Sequence, residues 1–303
     1  MFVAFTNPIL KIMTDSNNVI KYIDPMVDFG FKKIFKESGK KQFIIRLLNE
    51  VFRLDIVDIT ITESEQLGLT EQERKASFDM RCTTKDGKTF LIEVQISNQT
   101  YFMERAIFYI ARTISSKAER GGWNYKIDPV FFLGMLNFDI RHLKPELADP
   151  QQYIHHFLLQ EEKTRELMSN SVHFVFMEIA RFNKAKEECI TFEDRFLYIM
   201  KNLPTFAEKP ELWDDPYFED MVEEAEFANM SFDEQEAYIQ AMKNRWDFQN
   251  TIDFAREEGR EEGKEEGKEL KALEMARNLK EFGVEVSIIA RSSGLSEEQI
   301  RAL

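Results

Sequence analysis

The chain has 303 residues, 43% of them hydrophobic and 27 of them Phe, enough for one large packed core with an appendage. Its two cysteines, Cys82 and Cys189, stand in unrelated contexts, which excludes a disulfide framework or a cysteine-based zinc site and suits a reducing compartment. The net charge of −14 is uneven: residues 1–150 hold 21 Lys+Arg against 20 Asp+Glu (net +1), and residues 151–303 hold 19 against 34 (net −15), so a local basic face in the first half remains open to phosphate.

Residues 1–21 read as a tail. They lack the basic stretch and the small-residue cleavage site of a signal peptide, and no apolar run approaches the ~20 residues of a membrane span. The expectation is a cytoplasmic protein with no membrane partner. From Asp28, DFGFKKIFKESGKKQFIIRLLNEVF predicts a helix, a break at Ser38-Gly39 and a second helix. In the second, Phe43, Leu47 and Val51, with Ile44 and Leu48, recur at i, i+4. Residues 56–64 alternate like a strand, and the polar residues 66–75 read as loop.

Residues 77–84 and 89–96 are two alternating runs, a hairpin signal. Residues 99–120 predict a helix closed by Gly121-Gly122, and the apolar run 128–138 predicts a buried strand. Residues 150–250 read as mostly helical, with His155-His156 an isolated pair facing no common site. The order predicts an α/β domain with a helical extension.

The hairpin register follows from parity. Phe78, Met80 and Cys82 must share a face with Phe90, Ile92 and Val94. Pairing 78 with 94, 80 with 92 and 82 with 90 sets the index sum at an even value, so the loop is the odd-numbered Lys85-Asp86-Gly87, with Gly87 at the left-handed position. A two-residue loop would turn one strand's apolar set into water. This register puts Asp79 opposite Glu93, with Gln95 two residues on along the same polar face. Cross-strand partners have Cβ atoms roughly 5 Å apart, so two carboxylates there repel unless a cation stands between them. Hard oxygen ligands suit Mg²⁺, which polarises a phosphoryl oxygen and activates a bound water. A polar outer face is also ordinary for a half-buried hairpin.

FDMRCTTKDGKTFLIEVQ resembles the D-x(n)-E-x-Q signature of the PD-(D/E)XK nuclease superfamily, in the branch of recombination-promoting nucleases and transposases. DFGFKKIF resembles that family's first block, and MERAIFYIARTISSKAERG resembles its helix after the hairpin, with Arg105 and Tyr109 in register. The likeness covers roughly residues 22–140 and 254–303. It implies a restriction-endonuclease-like core, a mixed sheet flanked by helices, over residues 22–140 of a domain 22–250. Residues 141–250 would be its helical extension and 251–303 a helical tail.

The resemblance also implies a Mg²⁺- or Mn²⁺-dependent endonuclease acting on double-stranded DNA in recombination or transposition. By position Asp79 and Glu93 would hold the metal, and Gln95 takes the third motif place, usually a Lys. Gln cannot act as a base near neutrality, which keeps open a second reading, a nuclease-fold protein that binds DNA or a partner without cutting. A further acid is expected from the first helical region. Asp28 is preferred over Glu50 because it lies in the family-like block, with helix N-cap as its other role. Arg105, Arg112, Lys117, Lys32 and Lys33 are the candidate DNA-phosphate contacts, with solvated helix faces as the other explanation.

In REEGREEGKEEGK (256–268), Gly259, Gly263 and Gly267 recur every four residues between a basic stripe (Arg256, Arg260, Lys264, Lys268) and acidic ones. Each Gly costs a helix ~1 kcal/mol relative to Ala, while i, i+3 charge pairs return a few tenths each. A second copy packed along the glycines would offset this, so residues 254–303 are the candidate self-association segment; a solvated connector is the other reading. The tail then predicts helix through 281, a stop at Gly283, and a short helix-turn-helix pattern with only Arg291 and Arg301 basic.

Overall fold

The two alternating runs form the expected hairpin in the computed structural model, which describes residues 20–37, 41–62, 79–97, 99–117, 124–140 and 149–303. β2 (Met80–Thr83) pairs antiparallel with β3 (Thr89–Gln95) through Met80↔Ile92, Arg81↔Leu91, Cys82↔Phe90 and Thr83↔Thr89. This is the register that parity requires. The Gly87 N–H donates to the Thr84 carbonyl at 3.1 Å, and Gly87 has φ +90°, which a side chain would strain. The expected break at Ser38-Gly39, the loop over 66–75, Phe78, the Gly121-Gly122 stop and the tail up to residue 19 lie outside the described residues.

The sheet has six strands in the order β1-β2-β3-β4-β6-β5. β1 (Thr60–Thr62) pairs antiparallel with β2. β3, β4 (Val130–Leu136) and β6 (Val172–Glu178) are parallel neighbours, and β5 (Ile154–Leu158) closes the far edge antiparallel to β6. All seven residues of β4 are buried, as expected of a central strand covered on both faces. The expectation of mostly helix over 150–250 is corrected here, because β5 and β6 lie within it. Val172-His-Phe-Val-Phe-Met is short, β-branched and aromatic, a strand composition. His155 accordingly sits on an edge strand rather than a helix. It is buried, with Nε2 2.8 Å from Oε2 of the fully buried Glu178, to which Arg181 also donates at 2.5 Å.

Two layers cover the sheet. On one face, α1 (Asp28–Lys32, continued by a π-helical turn to Glu37), α2 (Lys41–Phe52), α4 (Phe192–Asn202) and α5 (Pro216–Glu224) pack on Met80, Cys82, Phe90, Ile92, Phe131 and Leu133. Phe43 of α2 centres this layer, with the rings of Phe35, Phe192, Phe196 and Phe218 between 5.4 and 6.0 Å away. Burying each such ring contributes roughly 2–3 kcal/mol. On the other face, α3 (Phe102–Ser116) crosses from β3 to β4 and buries Phe102, Ala106 and Ile110 against Leu91, Phe132, Leu136 and Phe176. The result is a mixed α/β sheet flanked by helices.

The chain divides into two compact units between Met242 and Lys243. In the second, the end of α6 (Phe232–Glu281), α7 (Val286–Ser293) and α8 (Glu297–Ala302) bury Ala276, Ile289 and Ile300. Gly283 and Gly294 stop their helices at φ +74° and +76°, and Ser296 with Gln299 forms a capping box. Among the described residues no helix is long and apolar enough to cross a membrane.

Candidate active site

Glu93 and Gln95 alternate with Ile92 and Val94 along β3, so they project to the face that α3 covers. The alternative explanation, an ordinary solvated polar face, does not apply to Glu93 and Gln95, which are 8% and 9% exposed. Glu93 lies beside Gly134 of β4, where a Cβ would stand 2.7 Å from the Phe176 ring. The missing side chain lets that ring lie across the strand beside Glu93's backbone partner.

Asp79 precedes β2 by one residue, at the position that continues the register to Glu93. Its Oδ2 accepts from the Val94 backbone N–H at 2.6 Å, so the carboxylate is tied across to β3. Asp28 comes from 51 residues earlier in the chain, at the start of α1, and its side chain stands within hydrogen-bonding reach of Asp79. The N-cap role is not the one observed: Asp28 is already inside the helix, and its cap, Val27, makes no side-chain bond. Glu50 instead is exposed on α2, 4.0 Å from Arg46.

Burial penalises the charge on both inner acids. It pushes Asp79 up to about 6, against the opposing Val94 N–H and helped by repulsion from Asp28. It pushes Glu93 up to about 8, helped by repulsion from Asp79 and opposed by Arg105. Without a cation, the pair therefore binds protons near neutrality.

Arg105, in the first turns of α3, reaches down to both motif residues. Its Nη2 donates to Glu93 Oε1 at 3.3 Å and to Gln95 Oε1 at 2.5 Å, and the guanidinium lies over the Phe102 and Tyr109 rings at 5.1 and 5.9 Å. Gln95 Nε2 donates to the Ser97 carbonyl at 3.0 Å. Of the other sequence-chosen cations, Lys32 stands at the edge of the site, paired with Asp28 at 2.8 Å and attracting Asp79, while Lys33 pairs with Glu234 and Lys117 donates to the Gly87 carbonyl at 2.8 Å. Arg112 is half-buried on α3. Sequence reasoning placed Arg105 among the surface cations. Its spacing to Glu93 gave no hint of contact, because the turn between β3 and α3 decides it.

The donor set fits a hard divalent cation. Glu93 Oε2 is buried with no hydrogen-bond partner, an orphan acceptor beside two mutually repelling acids. Among the described residues no group of three or more His, Cys, Asp or Glu side chains is placed to hold a metal ion, so Asp79 and Glu93 offer a partial donor set.

A family model described as PD-(D/E)XK nuclease family transposase matches residues 25–255, which span every one of these side chains. No curated protein and no solved structure matches the chain.

Proposed function

We propose a DNA-cutting role for this chain, which belongs to the PD-(D/E)XK nuclease family transposases: a Mg²⁺- or Mn²⁺-dependent endonuclease that hydrolyses phosphodiester bonds of double-stranded DNA in recombination or transposition, in the cytoplasm. The observation that carries this reading is the pair of half-buried Asp79 and buried Glu93, with Asp28 at its edge and Glu93 Oε2 left without a partner. Asp79 and Glu93 would hold the metal, with Asp28 the further acid. The bound ion supplies a polarised phosphoryl oxygen and a water of lowered pKa.

The chain's own residues do the positioning. The Val94 N–H fixes the Asp79 carboxylate at Oδ2. Arg105 fixes Glu93 at Oε1, so Oε2 is the oxygen left to turn elsewhere. Gln95 is held at both ends of its amide, by Arg105 and by the Ser97 carbonyl. It orients neighbours by hydrogen bonds and takes up no proton near neutrality. Lys32, Lys33, Arg112 and Lys117 remain the proposed phosphate contacts; Arg105 serves within the site.

Plasmid nicking with Mg²⁺ or Mn²⁺ tests this, comparing the native chain with Asp79→Ala and Glu93→Ala. The reading requires cleavage by the native chain alone, and equal cleavage by all three proteins refutes it. Gln95 in the usual Lys place favours one rival, a nuclease-fold protein that binds DNA without cutting. That rival wins if no protein cuts while the native chain retards duplex DNA.

A second copy of the chain is the partner we propose for residues 254–303. On α6, nothing lies within 4 Å of where a Cβ would be at Gly259, Gly263 or Gly267. At about 100° per residue, Arg256, Arg260 and Lys264 flank the glycine line on one side and Glu258, Glu262 and Glu266 on the other. In a parallel pair unlike flanks meet on both sides, and in an antiparallel pair like charges meet. The charge pattern therefore selects a parallel pair. Deleting residues 254–303 should turn a dimer into a monomer in solution, and an unchanged number of chains per particle refutes the pairing.

A further inference from the structure

Three features of Arg105 call for a common explanation. It lies in the opening turns of α3, where the helix dipole disfavours a cation. The helix that carries it starts from Tyr101 in the left-handed region, φ 66°, an unfavourable conformation for a non-glycine residue. Its Nε is buried without a hydrogen-bond partner, as is Glu93 Oε2. A structural surface arginine would avoid all three. What it gains is one guanidinium spanning Glu93 Oε1 and Gln95 Oε1.

The third motif place holds a Gln, which carries no charge. A positive charge nevertheless lies 2.5 Å from the Gln95 oxygen, delivered from the following helix. We infer that Arg105 is the resident counter-cation of Glu93, as Lys32 is of Asp28: it holds Glu93 and Gln95 in place through one oxygen each, and it competes electrostatically with a divalent ion for Glu93. Arg105 is thus a positioning residue that sets metal affinity. The inference rests on the metal-dependent reading above, and its consequence runs opposite to that of a merely structural residue. Removing the guanidinium charge strengthens metal binding while weakening the metal-free fold.

The test is Mn²⁺ titration calorimetry on the full-length native chain, Arg105→Gln and Arg105→Lys, with melting curves in the absence and presence of Mn²⁺. Gln keeps a donor for Glu93 without the charge, and Lys keeps the charge without the planar fork. Arg105→Gln should bind Mn²⁺ more tightly, on the order of tenfold. It should melt lower than the native chain without metal, with Mn²⁺ closing the gap. Arg105→Lys should bind Mn²⁺ as the native chain does. Equal or weaker binding by Arg105→Gln, with the native chain binding normally, overturns this inference alone. Absence of saturable Mn²⁺ binding in the native chain overturns it together with the metal-dependent reading.

Discussion

The face of β3 beneath α3 and the exposed stretch 256–268 of α6 are both built from acids set beside bases, yet they use charge in opposite ways. In 256–268 every residue is exposed, so each ion pair is screened and contributes at most a few tenths of a kcal/mol. Such a pattern can choose a partner's orientation without adding much stability. Beneath α3 there are few charges, but they are desolvated. There desolvation, then the repulsion of Asp79 against Glu93 and the attraction of Arg105 to Glu93, set protonation. Burial, rather than the number of charges, separates a face where charge is costly from one where it is screened.

The sharpest way to break this contrast is Glu93→Gln. It keeps the shape and removes the buried charge, and a metal contributes several kcal/mol to such a reaction, so nicking should fall by roughly a thousandfold. Charge reversal at Lys264, on the exposed side, should leave nicking by the folded protein unchanged. Similar losses in both variants would erase the distinction.

Gly134→Ala comes next. Its Cβ would meet the Phe176 ring at 2.7 Å and the Phe132 ring at 3.3 Å, so rings beside Glu93 must shift. Overpacking of this kind costs about 1–3 kcal/mol, read as a lower denaturation midpoint. Gly259→Ala meets no neighbour within the chain, so it should favour the isolated helix by about 1 kcal/mol while weakening the proposed pair, whose close approach the glycines permit. Circular dichroism at concentrations that keep the chain monomeric would read that gain, and a loss there comparable to that at Gly134 would show that Gly259 is packed within its own chain.

The smallest effect is on pH. Asp79 and Glu93 have folded values raised above ordinary carboxylates, to about 6 and about 8, so between roughly pH 4 and 8 the folded chain binds more protons than the unfolded one. Their contribution to metal-free stability is therefore fully present at low pH and is lost as pH rises through these values. Removing Glu93 should matter little at pH 5 and should raise the metal-free melting temperature, relative to the native chain, progressively toward pH 9. Mg²⁺ should stabilise the native chain more at pH 8 than at pH 5, because its ligands must first release protons. A melting difference between Glu93→Gln and native chain that stays constant with pH would show that Glu93 titrates as a solvated acid.

Much of this was legible in residue order. The hairpin register followed from parity, because same-face apolar pairing and Gly87 leave one loop length. The continuous apolar run of β4, the Phe43–Leu47–Val51 stripe and the Gly283 stop of the tail are local patterns, and they folded as read. β5 and β6 were missed because strands of 5 and 7 residues are too short to leave a strong periodic signal ahead of the helices that start at Phe192.

Residue order by itself determined which side chains share a strand face and therefore that Asp79 would meet Glu93, since alternation is a property of the backbone. Only the tertiary structure decided that this face is dry, that Asp28 arrives beside it from α1, and that Arg105 turns inward from α3. Those outcomes depend on which helix covers which face of the sheet, a choice made by the summed packing of distant apolar residues that no local spacing encodes.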